Sequence, residues 1–334
     1  MNIKLKPISD QTIVITGASS GIGLATARMA VNRGARVVVA ARAQRALETL
    51  ENELNREGKH AVHVAADVTS RDDVHRIAET AMNTFGGFDT WVNDAGTSVY
   101  GRITEVPVDD ERSLFDVNFW GAVYGMKEAV AHLRKKSGAL INVGSEVSDH
   151  AIPLQGAYSA SKHALKAYTD ALRIEIEKEK LPISVTLIKP TGIATPFFEH
   201  AKNYTDAEPI APPPVYAPEV VAEAILYAAE TPTRDFLVGE SAVINSVLGR
   251  LAPGLNDKVM KVAGFKGQQD TSRTPGPHDH EALEKPSGTL KERGDYNVTV
   301  MEASPHNVIA MHPRWTMAMA AAAGVALVTA LRRR

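Results

Sequence analysis

The chain has 334 residues, 44% of them hydrophobic, and is therefore long enough to bury a sizeable core. Its 37 basic residues nearly balance its 39 acidic residues, and this balance disfavours nucleic acid as a partner. The absence of cysteine excludes disulfides and thiolate chemistry. The N-terminal stretch MNIKLKPISDQ lacks the apolar core of a secretory signal, so we expect the mature chain to begin near Met1 and the main domain to be cytoplasmic.

Short runs rich in β-branched residues recur along the chain and predict strands. Most of these runs are almost continuously apolar, which is typical of strands buried on both faces of a parallel sheet. The pattern therefore predicts an α/β fold in which helices cover both faces of the sheet. The runs are TIVIT from Thr12, RVVVAA from Arg36, HAVHVAA from His60, FDTWVN from Phe88, ALINVG from Ala139, ISVTLI from Ile183 and DFLVG from Asp235.

Helical patterns lie between these runs. The stretch YSASKHALKAYTDALRIEIEKEK, which begins at Tyr158, carries apolar residues every three or four positions, so they form one stripe along a helix. A further helix is expected to begin near Pro218, with Glu219 in its first turn. The alternation of strands and helices predicts repeated βαβ units.

The stretch TGASSGIG, from Thr16 to Gly23, follows the first predicted strand and opens a helix. Its glycines let the backbone approach a pyrophosphate at the helix N-terminus, where free N–H groups and the helix dipole favour an anion. The motif therefore predicts a dinucleotide site. The alternative is a glycine-rich turn that binds no ligand.

The end of the second predicted strand indicates which dinucleotide is bound. A site for NAD usually places a carboxylate here, about 20 residues beyond the glycine loop, to hold the ribose hydroxyls. The sequence VVVAARAQR instead offers Ala41, which carries no charge, and Arg42, which can pair with a 2′-phosphate. This favours NADP(H) over NAD(H), with the alternative that Arg42 points to solvent.

Taken together, the motifs from about Ser9 to Gly249 resemble the short-chain dehydrogenase/reductase family, of the shorter NAD(P)-dependent type. The resemblance implies a Rossmann-type doubly wound parallel sheet of about seven strands and a nicotinamide cofactor. It also implies oxidation or reduction at an alcohol or carbonyl carbon, and a homodimer or homotetramer formed through the helices around Asn118 and Tyr158. The motifs are TGASSGIG, DVT from Asp67, NDAG from Asn93, FDVNFWG with Asn118, NVGS with Ser145, Tyr158 with Lys162, and KPTGIATPF from Lys189.

Hydride transfer to a ketone needs a proton donor at the oxygen that becomes negative. Tyr158 is the expected donor, and Lys162 lies one helical turn away, where its ammonium would favour the phenolate. The resemblance implies that Lys162 also holds the nicotinamide ribose and that Ser145 hydrogen-bonds the substrate oxygen. It further implies that Asn118 anchors a water that relays protons to Lys162.

The same resemblance assigns cofactor contacts along the chain. It places Asp67 against the adenine and the segment from Pro190 to Thr195 over the nicotinamide. One departure is Asp94, where the family usually has a second asparagine, and we expect it to act as a hydrogen-bonding residue at the strand end. The expected cofactor-binding residues are Gly17, Ser19, Ser20, Gly21, Ile22, Gly23, Arg42, Asp67, Val68, Asn93, Ala95, Gly96, Tyr158, Lys162, Pro190, Gly192, Ile193 and Thr195.

Two segments are expected to line the substrate pocket, and their side chains are mostly apolar. This lining favours a medium or large lipophilic alcohol or carbonyl, although each side chain could equally belong to the core. The residues are Val147, His150, Ile152, Pro153, Leu154, Phe197, Phe198 and Tyr204.

The composition changes near Gly264. Residues 1–264 are the predicted catalytic domain, and residues 265–313, rich in Gly, Pro and charge, predict a disordered linker. Residues 314–334 contain an uncharged stretch, 315–331, that ends in three arginines and predicts a membrane-anchoring or membrane-surface helix. The alternative is an alanine-rich helix that packs on a partner. His278 and His280 have no second cluster near them in sequence, so we expect no metal site.

Two functions from different classes remain open. The first is an NADP(H)-dependent oxidoreductase for a lipophilic carbonyl or alcohol, and the second is a dinucleotide-binding regulator or scaffold without useful turnover. The presence of Asn118, Ser145, Tyr158 and Lys162 together favours the enzyme. A sugar epimerase of related fold is disfavoured by the glycine spacing.

Overall fold

The computed structural model describes residues 3–58, 60–272, 282–295 and 297–312. Its centre is a parallel sheet of seven strands in the order β7-β6-β5-β4-β1-β2-β3. The strands are β1 (Thr12–Thr16), β2 (Arg36–Ala41), β3 (Ala61–Ala65), β4 (Thr90–Asn93), β5 (Gly138–Val143), β6 (Ile183–Pro190) and β7 (Asp235–Val238).

Helices connect these strands and cover both faces of the sheet. Sequence signals mark several of their ends: the Ser70 side chain caps the start of α3, and Gly86 ends that helix in the left-handed conformation. The helices are α1 (Gly21–Asn32), α2 (Gln44–Leu54), α3 (Arg71–Phe85), α4 (Val108–Phe115), α5 (Ala122–Leu133), α6 (Gly156–Lys178), α7 (Pro218–Glu230), α8 (Glu240–Leu251), α9 (Pro253–Val259) and α10 (Pro305–Met311). A π-helix, Asp116–Gly121, joins α4 to α5.

The two faces of the sheet are buried in separate cores. On β1, Ile13 and Ile15 pack with the apolar sides of α1, α2 and α7, whereas Val14 packs with those of α3, α5 and α6. Successive residues of a strand point to opposite faces, so burial of both faces explains the continuous apolar runs in the sequence. The predicted doubly wound α/β fold is confirmed.

Part of the segment that is expected to be a linker lies against the sheet domain. Val300 and Met301 pair in parallel with Val215 and Tyr216, and Leu283 is buried beside Val99. Backbone hydrogen bonds and a few apolar side chains thus hold this segment against the catalytic domain, although its composition could not support a core of its own.

Residues 315–331 lie outside the described residues, as do His278 and His280. Within residues 3–58, 60–272, 282–295 and 297–312, no helix is long and apolar enough to cross a membrane. The same described ranges contain no group of three or more metal-ligating His, Asp or Glu side chains.

Candidate active site

A cavity opens at the carboxyl ends of strands β1 to β6, where the strand order changes direction on either side of β1. Ligands of open α/β sheets bind at such a switch point. All the predicted site residues line this cavity except Gly23, Asn93 and Asn118. Those that line it are Gly17, Ser19, Ser20, Gly21, Ile22, Arg42, Asp67, Val68, Ala95, Gly96, Ser145, Tyr158, Lys162, Pro190, Gly192, Ile193 and Thr195.

The glycine loop has the geometry that a dinucleotide needs. Gly17 adopts φ +76°, and a Cβ there would lie 2.8 Å from the backbone of Ala95, so only glycine fits. Helix α1 begins directly after the loop, and its N-cap residue Ser20 makes no side-chain capping bond. The start of this helix is therefore not capped by Ser20, and its backbone N–H groups are donors of the kind that bind a phosphate of a dinucleotide.

Asp94 lies at the end of β4 and contacts the same helix start. Its carboxylate accepts a hydrogen bond from the Gly23 N–H, in line with the expected strand-end role. Burial raises the pKa of Asp94 to about 7, and the nearby Lys162 ammonium opposes this shift. Asp94 is therefore partly protonated near neutral pH.

Helix α6 brings Tyr158 and Lys162 together at the cavity wall. The Lys162 ammonium lies 5.7 Å from the centre of the Tyr158 ring, and its Nζ donates a 2.9 Å hydrogen bond to the Val143 carbonyl. Only 4% of Lys162 is exposed, and this burial lowers its pKa to about 8, against the effect of Asp94. The sequence spacing that suggested the pair is thus realised.

The pKa of Tyr158 is raised above its ordinary value rather than lowered. Burial of the phenol is the main cause, and the carboxylates of Glu146 and Asp94 add to it, while the hydrogen bond with Ser145 acts in the opposite direction. Lys162 is visible in the sequence at helical spacing from Tyr158, whereas the burial of the phenol and the approach of these two acids are not. The protein groups alone therefore favour the protonated phenol, the form that donates a proton.

Asn118 and Asn93 brace the site from behind. Asn118, in the π-helix and 1% exposed, accepts a hydrogen bond from the Thr97 N–H at 2.8 Å and donates to Ser161 Oγ at 3.2 Å. Asn93 accepts from the Trp91 indole at 2.8 Å and donates to the Asn142 side chain at 2.8 Å. Both asparagines thus hold the walls of the cavity in place rather than face it.

The expected substrate segments contribute only in part. Phe197 packs on Tyr158 with ring centres 5.5 Å apart, at the same end of the cavity as Ser145. Of the eight proposed residues, Val147, Ile152, Phe197 and Phe198 line the cavity, whereas His150, Pro153, Leu154 and Tyr204 do not. Leu154 packs in a core cluster with Tyr100, which is the alternative that the sequence left open.

Sequence reasoning missed one acid in the cavity. Glu146, directly after Ser145, accepts 3.0 Å hydrogen bonds from the side chains of Thr191 and Asn245, and burial raises its pKa. Its position beside the predicted serine was a signal, but its partners come from distant parts of the chain.

The sequence also missed a wall that the C-terminal segment supplies. Pro286 and Ser287 line the cavity, and the Arg42 guanidinium donates to the backbone carbonyls of Ala282 and Lys285. Arg42 therefore faces the cavity rather than open solvent. Backbone carbonyls occur at every residue, so no sequence pattern indicated these contacts.

Comparison with known proteins agrees with this geometry. A family model described as short chain dehydrogenase matches residues 11–205, more than half of the chain. The uncharacterized oxidoreductase YxnA of Bacillus subtilis strain 168 is 48% identical over 295 residues, which cover 87% of this chain and 83% of YxnA. The likeness to this relative therefore extends beyond the family match.

Solved structures show the same fold. A short-chain dehydrogenase/reductase from Burkholderia phymatum in complex with NAD superposes with a TM-score of 0.67 at 22% identity, covering 76% of this chain and 96% of that one. An alcohol dehydrogenase from the archaeon Thermococcus sibiricus, complexed with 5-hydroxy-NADP, gives a TM-score of 0.59 at 24% identity, covering 68% and 95%. From the family match and the YxnA relative, the chain belongs to the short-chain dehydrogenase/reductase family of oxidoreductases.

Proposed function

We propose that the protein is an NADP(H)-dependent oxidoreductase that interconverts an alcohol and a carbonyl on a lipophilic small molecule. The observation that carries this proposal is the meeting of Ser145, Tyr158 and Lys162 with the glycine loop in one cavity. A proton donor, a hydrogen-bonding hydroxyl and a cation at one end of a dinucleotide groove are the groups that carbonyl reduction requires.

Each side chain then has a defined task. Bound nicotinamide supplies or accepts the hydride. During reduction, the Tyr158 hydroxyl donates its proton to the carbonyl oxygen as negative charge develops there, and Ser145 holds that oxygen by a hydrogen bond. The Lys162 ammonium stabilises the phenolate that remains. Asn118 fixes the cavity wall behind Lys162 through hydrogen bonds to Thr97 and Ser161.

The preference for NADP(H) is supported by the second strand. Ala41 is the last residue of β2, and Arg42 follows it directly. Arg42 is half-buried and lines the cavity. Neither position carries a carboxylate, which would repel a 2′-phosphate. The guanidinium of Arg42 can bind a phosphate through charge-assisted hydrogen bonds.

The lipophilic substrate is supported by the apolar groups around Tyr158. Phe197 and Phe198 form an edge-on pair with ring centres 5.4 Å apart, and Val147 and Ile152 lie on the same cavity wall. Such side chains favour an apolar substrate body, with the reacting oxygen held by Ser145 and Tyr158.

Turnover by purified protein with NADPH or NADH over a panel of ketones and aldehydes tests the proposal. The Tyr158→Phe variant should lose activity by about 10²–10⁴-fold while NADPH binding is retained. Tyr168→Phe is the matched control, because Tyr168 lies on the same helix but packs against the Phe119 ring, at a centre distance of 5.7 Å. NADPH binding without turnover in the wild type, unchanged by Tyr158→Phe, would favour the regulator instead.

We further propose a homodimer or homotetramer formed through the helices around Asn118 and Tyr158. Trp120 and Ile174 support this, because they are 45% and 67% exposed on these helices. An Ile174→Glu variant should therefore shift the protein to a smaller species in light scattering, and an unchanged mass would count against this interface. Association of residues 315–331 with a membrane stays a prediction, which co-sedimentation with lipid vesicles tests.

A further inference from the structure

Residues 282–295, here called the strap, cross the cavity. The Ala282 N–H donates to the His200 carbonyl at 2.8 Å, and the Gly294 N–H donates to the Ala194 carbonyl at 3.1 Å. Between these anchors the strap runs over the glycine loop, and Pro286 lies in the cavity wall. The strap is therefore attached at both ends to the segment from Ala194 to His200, which contains Phe197 and Phe198.

The strap engages the groups that a dinucleotide phosphate would use. The N–H of Gly21, the first residue of α1, donates to the Lys291 carbonyl at 2.9 Å, and the Leu290 N–H donates to the Ser19 carbonyl at 3.2 Å. The guanidinium of Arg42 donates to the strap carbonyls of Ala282 and Lys285. The strap thus occupies two donors that are proposed to bind cofactor phosphates, the Gly21 N–H and the Arg42 guanidinium.

Two further contacts fix the strap in this place. Gly288 adopts φ +45°, and a Cβ there would lie 2.7 Å from the Ala43 side chain, next to Arg42. Glu292 pairs with Arg28 of α1 at 2.7 Å, with 20% and 30% of these side chains exposed. The strap is therefore seated by a close backbone approach at one point and by an ion pair at another.

We propose that the strap is an intramolecular competitor of the cofactor, and that its residues 285–291 leave the glycine loop and Arg42 when the dinucleotide binds. The proposal rests on the proposed function, because it takes NADP(H) as the ligand of this site. A carbonyl and a phosphate oxygen cannot occupy the same place on the Gly21 N–H. The apparent affinity is then reduced by the fraction of molecules in which the strap is seated.

The competition has a physical outcome. A phosphate at a helix N-terminus and on a guanidinium forms charge-assisted hydrogen bonds, which are about twice as strong as those of a neutral carbonyl. NADPH therefore displaces the strap, but only after the strap bonds have opened. Variants that loosen the strap bind NADPH more tightly and more rapidly.

Gly288→Val in the full chain tests this directly. A β-branched side chain at positive φ that clashes with Ala43 unseats the strap, and the Kd for NADPH should fall about fivefold to tenfold, with faster association in stopped-flow fluorescence. Gly254→Val is the matched control, since a Cβ at Gly254 meets nothing within 4 Å, and its Kd should equal that of the wild type. Unchanged or weaker NADPH binding by Gly288→Val would show that the strap is a structural cover and not a competitor.

A second pair of variants removes one ion pair each. Glu292→Gln breaks the strap contact with Arg28 and should lower the Kd by about twofold. Glu179→Gln removes a 3.4 Å pair with Arg134, which lies outside the strap and outside the cavity lining, and should leave the Kd unchanged. Equal effects of the two substitutions would overturn the proposal.

Amide hydrogen exchange gives a readout that does not depend on affinity. Saturating NADPH should slow exchange in the glycine loop and speed it in residues 285–291, because Leu290 loses its bond to Ser19. Slower exchange in both segments would overturn the competition. If wild type and Gly288→Val bind neither NADPH nor NADH, both the proposed function and the strap proposal fail. If the wild type binds and turns over but Gly288→Val binds no more tightly, only the strap proposal fails.

Discussion

The two ends of the cavity are built in different ways. At the end that we propose to be catalytic, Ser145, Tyr158 and Lys162 come from the sheet domain itself, and Lys162 is bonded to the Val143 carbonyl within that domain. At the end that we propose to bind the cofactor phosphates, Gly21 and Arg42 are bonded to backbone carbonyls of the strap, which follows more than two hundred residues later in the chain. The first end is thus set by side chains on α6 and just after β5, whereas the second end is bonded to the strap, which we propose to be displaceable.

This difference suggests how each end responds to change. Ser145, Tyr158 and Lys162 are held by hydrogen bonds within the domain before a ligand arrives. Because they are preorganised for the reaction, their removal should slow the chemical step. Groups engaged by a removable segment affect how strongly and how fast the cofactor binds. Substitutions at the catalytic end should therefore change turnover, whereas those at the phosphate end should change affinity.

Lys162→Met is expected to have the largest effect. It removes the buried ammonium while nearly conserving volume, and carbonyl reduction should fall by about 10²–10³-fold in kcat, with NADPH affinity changed far less. In the wild type, reduction should weaken as pH rises through about 8, because the ammonium form is then lost. Steady-state rates across pH 6–10 for both proteins are the measurement.

The corresponding control is Lys166→Met, one turn further along α6, where the ammonium lies 3.4 Å from Asp149 and outside the cavity lining. This variant should keep the wild-type rate and the decline near pH 8. If Lys162→Met weakened NADPH binding as much as it slowed turnover, the two ends of the cavity would not be separable in the way proposed.

The sheet and the catalytic end could be predicted because their determinants lie in local patterns. Continuous apolar runs such as RVVVAA require burial on both faces, and the spacing from Tyr158 to Lys162 places both side chains on one side of a helix. The direction of the Tyr158 pKa was beyond the sequence, because burial and Glu146 depend on packing between distant segments. The position of the strap could not be predicted from the sequence, because the strap contacts the glycine loop and Arg42 through its backbone atoms.

Arg42→Ala should produce an intermediate effect at the phosphate end. Loss of the guanidinium should weaken NADPH binding by about tenfold, which corresponds to roughly 1.4 kcal/mol. The affinity for NADH should rise slightly, because the strap carbonyls of Ala282 and Lys285 lose their donor. Fluorescence titration of both cofactors gives the ratio directly.

Arg45→Ala is the matched control for that ratio, since Arg45 is exposed on α2 and outside the cavity lining. It should leave both affinities unchanged. An Arg42→Ala variant that keeps its preference for NADPH would show that Arg42 does not bind the 2′-phosphate. The contrast between the two ends of the cavity would then depend only on the contact of the Gly21 N–H.

Asp94 joins the two ends, because its carboxylate accepts from the Gly23 N–H at the start of α1 and interacts with the Lys162 ammonium. Its pKa is raised from 3.8 to about 7 in the folded protein, so the unfolded chain ionises at lower pH. The stability that neutral Asp94 provides is fully present below about pH 4 and is lost as pH rises to about 7. Ionised Asp94 should also repel a pyrophosphate at α1.

Asp94→Asn keeps an acceptor for Gly23 but cannot ionise. At pH 8 the variant should melt a few degrees higher than the wild type, by about 2–4 °C for each kcal/mol recovered, and the difference should vanish near pH 4. NADPH affinity should fall between pH 6 and 8 in the wild type and stay level in the variant. Identical pH profiles of melting and binding would mean that Asp94 does not couple the ends, and the catalytic and phosphate halves would then respond to pH independently.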